Sequence, residues 1–341
     1  MRVLFVTSEW PSERYPAYGI FVQRQVCALA SLGIEARVFA FRGRASISQY
    51  VRAFWHLRDV LACGNYDLIH AHFGQAGLLA SLASRKPTVV TFHGSDVFGL
   101  GRNSGEPLKS ALLRTASRLA AYLASAVIVV SPELKRELRK DDAHVIPMSI
   151  DRHLFRPMLP EDLRSELGWS VNERVVLFIG DPKNPIKRFS LAQDAVRRAA
   201  SAVSFPIALR VCDNVAPAKV PLYLNAADVL VITSEHEGGP LVLREALACN
   251  VPVVSVDVGD ARQRLAKVSG CVLTEMDDAE SISVGLIRVL THHRRVDGSK
   301  GIADLDDQTL ASRVLSVYRS TKACTSSEEM RKQIADGSRR L

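Results

Sequence analysis

Short apolar runs alternate with stretches of helical period along this chain, and the alternation stops once and starts again. Residues 2–7, 35–41, 67–72, 87–92, 126–130 and 144–146 read as buried strands. Between them, Ile47, Tyr50, Val51, Phe54, Leu57 and Leu61 recur at helical spacing, and Leu108, Leu112, Leu119 and Leu123 share a face opposite Arg114 and Arg118. Strand and helix in turn is the pattern of a parallel sheet covered by helices. It breaks at Pro147, Pro157 and Pro160, then resumes with strands expected at 175–179, 207–211, 229–232, 251–254 and 271–273 and helices at 190–200, 241–248 and 279–291. The chain is therefore expected to form two doubly wound, Rossmann-like α/β domains, 1–155 and 156–323, followed by a charged tail, 324–341. Ligands of such sheets lie beyond the carboxyl ends of the strands, so the site is expected in a central cleft that the domains face.

A length of 341 residues suits two domains, and 47% hydrophobic against 23% charged residues supplies two cores. Disordered, collagen-like and disulfide-stapled classes are excluded. The longest mainly apolar stretch, 119–130, is shorter than the roughly 20 residues that cross a bilayer. Val3-Leu4-Phe5-Val6 at the start is too short for a signal-peptide core, so a cytoplasmic protein is expected. Six widely spaced cysteines with no C-x-x-C read as buried reduced thiols.

The positive charge is unevenly placed. Residues 1–155 hold 19 Lys and Arg against 12 Asp and Glu, and the remainder holds 25 against 24. Arg42, Arg44, Arg52, Trp55 and Arg58 cluster around one expected helix, with Arg114 and Arg118 on another. An anionic membrane surface is the expected partner, held peripherally on its inner face; a plainer alternative has the apolar faces in the core and the arginines in water. Nucleic acid is not expected, because no recognition motif accompanies the charge.

The most informative segment is Ser234-Glu235-His236-Glu237-Gly238-Gly239-Pro240-Leu241-Val242-Leu243-Arg244-Glu245, just after the strand expected at 229–232. Pro240 suits the first turn of a helix, so a helix start is expected there. Gly238 and Gly239 let a ligand approach the backbone, and free N–H groups at the helix start favour a phosphate. Glu237 and Glu245, eight positions apart, could bracket that anion and hold hydroxyl groups at both ends of a nucleotide sugar; read alone, they could equally be solvated charges or a cap.

With the following Ala246-Leu247-Ala248-Cys249-Asn250-Val251-Pro252-Val253-Val254, this block resembles the E-x7-E signature of the retaining glycosyltransferases of family four, which have the GT-B fold. Tyr18-Gly19-Ile20-Phe21-Val22 is similar to the family's first glycine loop, and Asp67-Leu68-Ile69-His70-Ala71-His72 and Thr91-Phe92-His93-Gly94-Ser95-Asp96 resemble its third and fourth strand ends. Val145-Ile146-Pro147 with Asp151 resembles its linker, and Leu224-Asn225-Ala226-Ala227-Asp228 its approach to the glutamate block.

The resemblance implies that Glu237 and His93 act at the donor sugar, that Glu245 binds ribose hydroxyls, and that backbone N–H groups around Gly238, Gly239, Leu241 and Val242 hold the diphosphate, with Gly19 approaching the phosphates. In Gly180-Asp181-Pro182-Lys183-Asn184-Pro185-Ile186-Lys187-Arg188, Lys187 matches the family's phosphate-binding lysine, but Asp181 stands where an arginine is expected. Arg188 or Lys183 is left to replace that charge. The implied reaction moves a sugar from a nucleotide-sugar donor to a hydroxyl of a lipid-linked or saccharide acceptor, in polysaccharide or glycolipid synthesis, with no cofactor. No metal is expected either, since no D-x-D stands at a strand end. Two alternatives stand beside this reading: a non-catalytic nucleotide-sugar-binding module, and a nicotinamide-dependent oxidoreductase, against which Ser8-Glu9-Trp10-Pro11-Ser12 replaces a G-x-G-x-x-G after the first strand.

Overall fold

The computed structural model describes residues 1–16, 18–42, 47–99, 101 and 105–337, which leaves Arg44 outside the described residues. The chain divides into two compact units, one of Met1–Gly99, Ala111–Pro147 and Asp307–Leu341, the other of Leu100–Ser110 and Met148–Asp306. Each is a parallel sheet with helices.

In the first unit the strands are β1 (Arg2–Thr7), β2 (Glu35–Ala40), β3 (Leu68–His72), β4 (Thr88–Phe92), β5 (Ala126–Val129) and β6 (His144–Val145), in the order β2-β1-β3-β4-β5-β6. β3 and β4 are buried at every residue, as expected for strands covered on both faces. Successive connections run in opposite directions from β1, so the sheet has its switch point between β1 and β3, and their carboxyl ends open there.

In the second unit β7 (Arg174–Ile179), β8 (Ile207–Cys212), β9 (Val229–Ile232), β10 (Val253–Ser255) and β11 (Val272–Leu273) take the order β11-β10-β9-β7-β8, with the switch point between β7 and β9. The expected strands therefore form within two residues of their expected ends.

Several expectations need correction. The boundaries at 155 and 323 do not match the units: the chain passes into the second at Met148 and returns to the first at Asp307. The reason is packing. Helix Asp307–Gly337 returns to the first sheet, where Tyr318 is fully buried against His70, Arg24 pairs with Asp307 at 2.8 Å, and Lys322 pairs with Asp67 at 2.7 Å. The expected tail, 324–341, accordingly begins inside that helix. Cys27, Cys63 and Cys324 are exposed rather than buried, although none of the six thiols is paired.

Helix Pro107–Leu123 is turned around relative to the simplest reading of its pattern. It buries Ser110, Ser117, Ala120 and Ala121 and leaves Leu108, Leu112, Leu119 and Leu123 exposed, with Tyr122 81% exposed. Small residues let this helix approach closely: Ser117 Oγ donates to the Asp96 carbonyl at 2.7 Å.

Candidate functional site

The loops that leave β7 and β9 meet at the switch point of the second sheet. After β7, Asn184 caps a short turn, Pro185–Lys187, by accepting from Ile186 N at 3.1 Å. This places Lys187 so that its Nζ donates to Glu237 Oε1 at 2.6 Å, and Ser234 Oγ donates to the same oxygen at 2.9 Å. Glu237 Oε2 has no hydrogen bond among the described residues.

Arg188, expected beside the phosphates, also ties the loops together. Its Nε donates to the Thr233 carbonyl at 2.5 Å, its Nη2 to the Ser234 carbonyl at 3.2 Å, and its guanidinium pairs with Asp277 at 2.6 Å. It pins the end of β9 to the loop after β7, which fixes the separation of Lys187 and Glu237. Asp181, standing where the family's arginine is expected, accepts from Lys183 N at 2.8 Å and shapes its own turn. Lys183 is exposed.

Beyond Glu237 the chain turns through Gly238 and Gly239 into helix Leu241–Ala248, the span expected, with Pro240 as its N-cap at φ −64°. No side chain caps this helix among the described residues, so the first-turn N–H groups of Leu241 and Val242 are available to an anion. Gly239 is required by what lies beneath it: a Cβ there would stand 2.5 Å from Arg244 Nη2. Arg244 is fully buried and bonds Asp260 Oδ2 at 2.9 Å and the Met148 carbonyl at 3.1 Å. Asp260 also takes Arg264 Nε at 2.5 Å. Burial opposes the charge on Asp260, but the two guanidinium groups outweigh it and hold the carboxyl below its ordinary value.

Sequence reasoning missed this cluster. Its signal was present: Arg244 lies between Leu243 and Ala246-Leu247 on a helical face that is otherwise apolar, and a charge there needs a partner.

Glu245 is half-buried, and desolvation lifts its carboxyl from the ordinary 4.5 to about 7 against the pull of Arg244 and Lys187. It also helps burial push the Cys212 thiol, at the end of β8, up to about 12. The sign follows from proton binding. Between pH 4.5 and 7 the folded chain holds a proton that the unfolded chain has lost, so stability falls as pH rises through that window. Above it the cost is on the order of 2–3 kcal/mol. Glu245→Gln is expected to raise the melting temperature of the unliganded second domain at pH 8 by about 5 °C, with the gain gone at pH 4.5. A melting temperature equal to wild type at both pH values would contradict this.

In the first unit, Gly19 is the N-cap of helix Ile20–Ser31 at φ 63°, and a Cβ there would strike the Glu9 carbonyl oxygen at 2.3 Å, so only glycine fits. His93 follows β4. Its main-chain N–H donates to Asp96 Oδ1 at 3.1 Å, and Asp96 also takes the N–H groups of Gly94 at 2.8 Å and Gly74 at 3.0 Å. This buried carboxylate thus ties the end of β4 to the start of helix Gly74–Ala83, a role that was not read from the sequence. The His93 ring contacts Phe21 and Phe73 and lies 3.0 Å from His72 through Nε2. Burial and the neighbouring His72 hold its pKa well below the ordinary value, so the ring is neutral at physiological pH. The expected donor residues thus gather at the strand ends of their own sheets: Lys187, Glu237, Gly238, Gly239, Leu241, Val242 and Glu245 in the second unit, and Gly19 and His93 in the first.

Residues 1–154 match the family described as Glycosyltransferase Family 4, and residues 172–292 match Glycosyl transferases group 1. TuaC of Bacillus subtilis (strain 168), which carries the name of a teichuronic acid biosynthesis glycosyltransferase, is 29% identical over 78% of this chain and 84% of its own. The solved structure of sucrose-phosphate synthase from Thermosynechococcus elongatus superposes with a TM-score of 0.77 at 18% identity, covering 95% of this chain and 99% of that one. HepE of Anabaena, solved in complex with UDP and glucose, superposes with a TM-score of 0.71 at 19% identity over 94% and 100% of the two chains. The chain is accordingly an enzyme of the GT-B fold and belongs to the glycosyltransferases of family four.

Proposed function

We propose that this glycosyltransferase takes a nucleoside diphosphate sugar as donor and transfers the sugar to an acceptor hydroxyl with retention at the anomeric carbon. The observation that carries the reading is the meeting of Lys187, Glu237 and Glu245 around the open start of helix Leu241–Ala248. Lys187 and the N–H groups of Leu241 and Val242 supply positive potential for a diphosphate. Glu245 accepts from ribose hydroxyls, and Glu237 orients the sugar through Oε2. The same reading gives Gly19 the phosphates and His93 the sugar. In the reaction the acceptor oxygen bonds to the anomeric carbon as the bond to the diphosphate oxygen breaks, and that departing oxygen takes the acceptor's proton. The UDP and glucose bound to HepE support the donor class. TuaC's name, that of a teichuronic acid biosynthesis glycosyltransferase, supports a place in polysaccharide synthesis, and the acceptor is proposed to be a saccharide or a lipid-linked one.

The test is a thermal-shift panel of UDP, GDP, ADP and TDP on wild type and Glu245→Gln. One nucleotide should stabilise wild type, and the variant should bind it about ten- to a hundredfold more weakly, since it loses charge-assisted bonds. Absence of any shift would remove the reading.

The first unit is proposed to dock on the anionic face of a membrane. Helix Pro107–Leu123 shows water Leu112, Leu119, Tyr122 and Leu123 together with Arg114 and Arg118. On helix Ile47–Cys63, Trp55 is 56% exposed and lies beneath Arg58, with Arg52 also exposed. An exposed apolar face edged by cations fits a headgroup layer, each cation contributing about 1 kcal/mol. In flotation at low salt the chain should rise with anionic vesicles and stay behind with neutral ones. Reversing Arg52, Arg58, Arg114 and Arg118 to Glu should abolish recovery, and equal recovery on both vesicle types would refute docking.

A further inference from the structure

His72 is fully buried at the end of β3 and reaches the candidate site through one ring nitrogen. Its Nδ1 lies 3.0 Å from His93 Nε2, while its Nε2 is buried and has no hydrogen-bond partner among the described residues. Burial brings the His72 pKa down to about 3, and His93 is lowered as well, so each ring is neutral and carries one N–H.

Only two proton arrangements make the 3.0 Å contact a hydrogen bond. In one, His93 Nε2–H donates to His72 Nδ1, and the His72 proton sits on Nε2, a buried donor with nothing to receive it. In the other, His72 Nδ1–H donates to His93 Nε2, and only a lone pair is left at the buried Nε2. Stranded buried donors are the rarer fault in folded proteins, an under-used acceptor being more easily tolerated. The adjoining His70 does not bias the choice, because its partners, Tyr318 OH at 2.5 Å and Thr91 Oγ1 at 2.7 Å, are hydroxyls that can donate or accept.

We infer that His72 is a positioning residue, whose Nδ1–H donates to His93 Nε2 and so confines the His93 proton to Nδ1. His93 Nδ1 has no hydrogen bond among the described residues, and this nitrogen is the one left to a ligand. It then offers an N–H, suited to a sugar hydroxyl or phosphate oxygen, and has no free lone pair with which to take a proton from the acceptor. Nδ1–H also agrees with a reaction in which the leaving diphosphate oxygen is the base. The contact of His93 with donor rests on the function proposed above; the tautomer does not.

The experiment labels histidine with nitrogen-15 in the full chain and reads two-bond proton–nitrogen correlations near neutral pH. Signals are assigned by difference against His72→Asn and His93→Asn. Wild-type His93 should show a protonated Nδ1 and a bare Nε2. His72→Asn, whose amide can donate from the same place, should keep that tautomer and keep transfer within about threefold, whereas His72→Asp, which can only accept, should move the proton to Nε2 and slow transfer by about tenfold or more. Protonated Nε2 in wild-type His93 overturns the inference, as does an unchanged tautomer in His72→Asp. If the aspartate does not fold, the wild-type spectrum and His72→Asn still decide. His93→Asn turning over donor at the wild-type rate would instead remove the donor contact and leave the tautomer to the spectrum.

Discussion

Asp260→Ala is expected to destabilise the second unit by about 3–5 kcal/mol, the range measured when one partner of a buried ion pair is removed. Asp260 is 4% exposed and answers two guanidinium groups, Arg244 at 0% and Arg264 at 7% side-chain exposure. Arg264 would keep Asp304 at 3.1 Å and the Gly301 carbonyl at 2.8 Å. Arg244 would keep only the Met148 carbonyl as a hydrogen-bond partner among the described residues, a buried charge whose remaining carboxylates, Asp304 and Glu245, act on it without a hydrogen bond. Against a total stability of about 5–15 kcal/mol the loss is a large fraction of the whole. The effect should reach the site as well, because the Gly238-Gly239 turn rests on Arg244 Nη2. A folded fraction of the variant should bind nucleotide more weakly than wild type. Denaturant unfolding of Asp260→Ala and Asp260→Asn settles the matter. A loss below about 1 kcal/mol for alanine would place the cluster among exposed, weakly coupled pairs.

The parts of this molecule legible in the sequence are those decided by local pattern. Runs such as Val3-Leu4-Phe5-Val6 and Val229-Leu230-Val231-Ile232 are buried on both sides, and a continuous apolar run says so without knowledge of its neighbours. Lys187 and Glu237 were named through the family resemblance and not by local pattern; their meeting follows because each lies after a strand, and adjacent parallel strands bring such loops together. What escaped was decided by distant partners. Arg244 and Asp260 are sixteen positions apart, and either alone reads as a solvated charge. The part Arg188 plays in tying the loops depends on Asp277, 89 positions later. Tyr318 meets His70 across 248 positions, so the return of helix Asp307–Gly337 to the first sheet left no local trace. The leucine face of helix Pro107–Leu123 misled for a physical reason: periodicity marks two unlike faces, and here the small one packs inward.

Glu237→Gln should lower the turnover number by about a hundred- to a thousandfold, comparable to removing one preorganised electrostatic group from an active site. The carboxylate is held rigid, Oε1 fixed by Lys187 Nζ at 2.6 Å and by Ser234 Oγ at 2.9 Å, so that Oε2 is presented without reorganisation. Glutamine keeps the volume but removes the charge, and its amide cannot accept at both positions. Positive charge that develops on the sugar ring as the diphosphate departs then meets a neutral group. Nucleotide affinity should change little or rise slightly, because Lys187, released from its pair, is free to turn fully to the phosphates. Lys187→Ala should do the reverse and weaken nucleotide binding first. The two variants separate the roles of a pair whose geometry alone is symmetric. Measured turnover and nucleotide Kd decide: Glu237→Gln within about threefold of wild-type turnover, where the loss of a transition-state contact should exceed tenfold, would reduce Glu237 to a structural partner of Lys187 and move the sugar-facing role elsewhere.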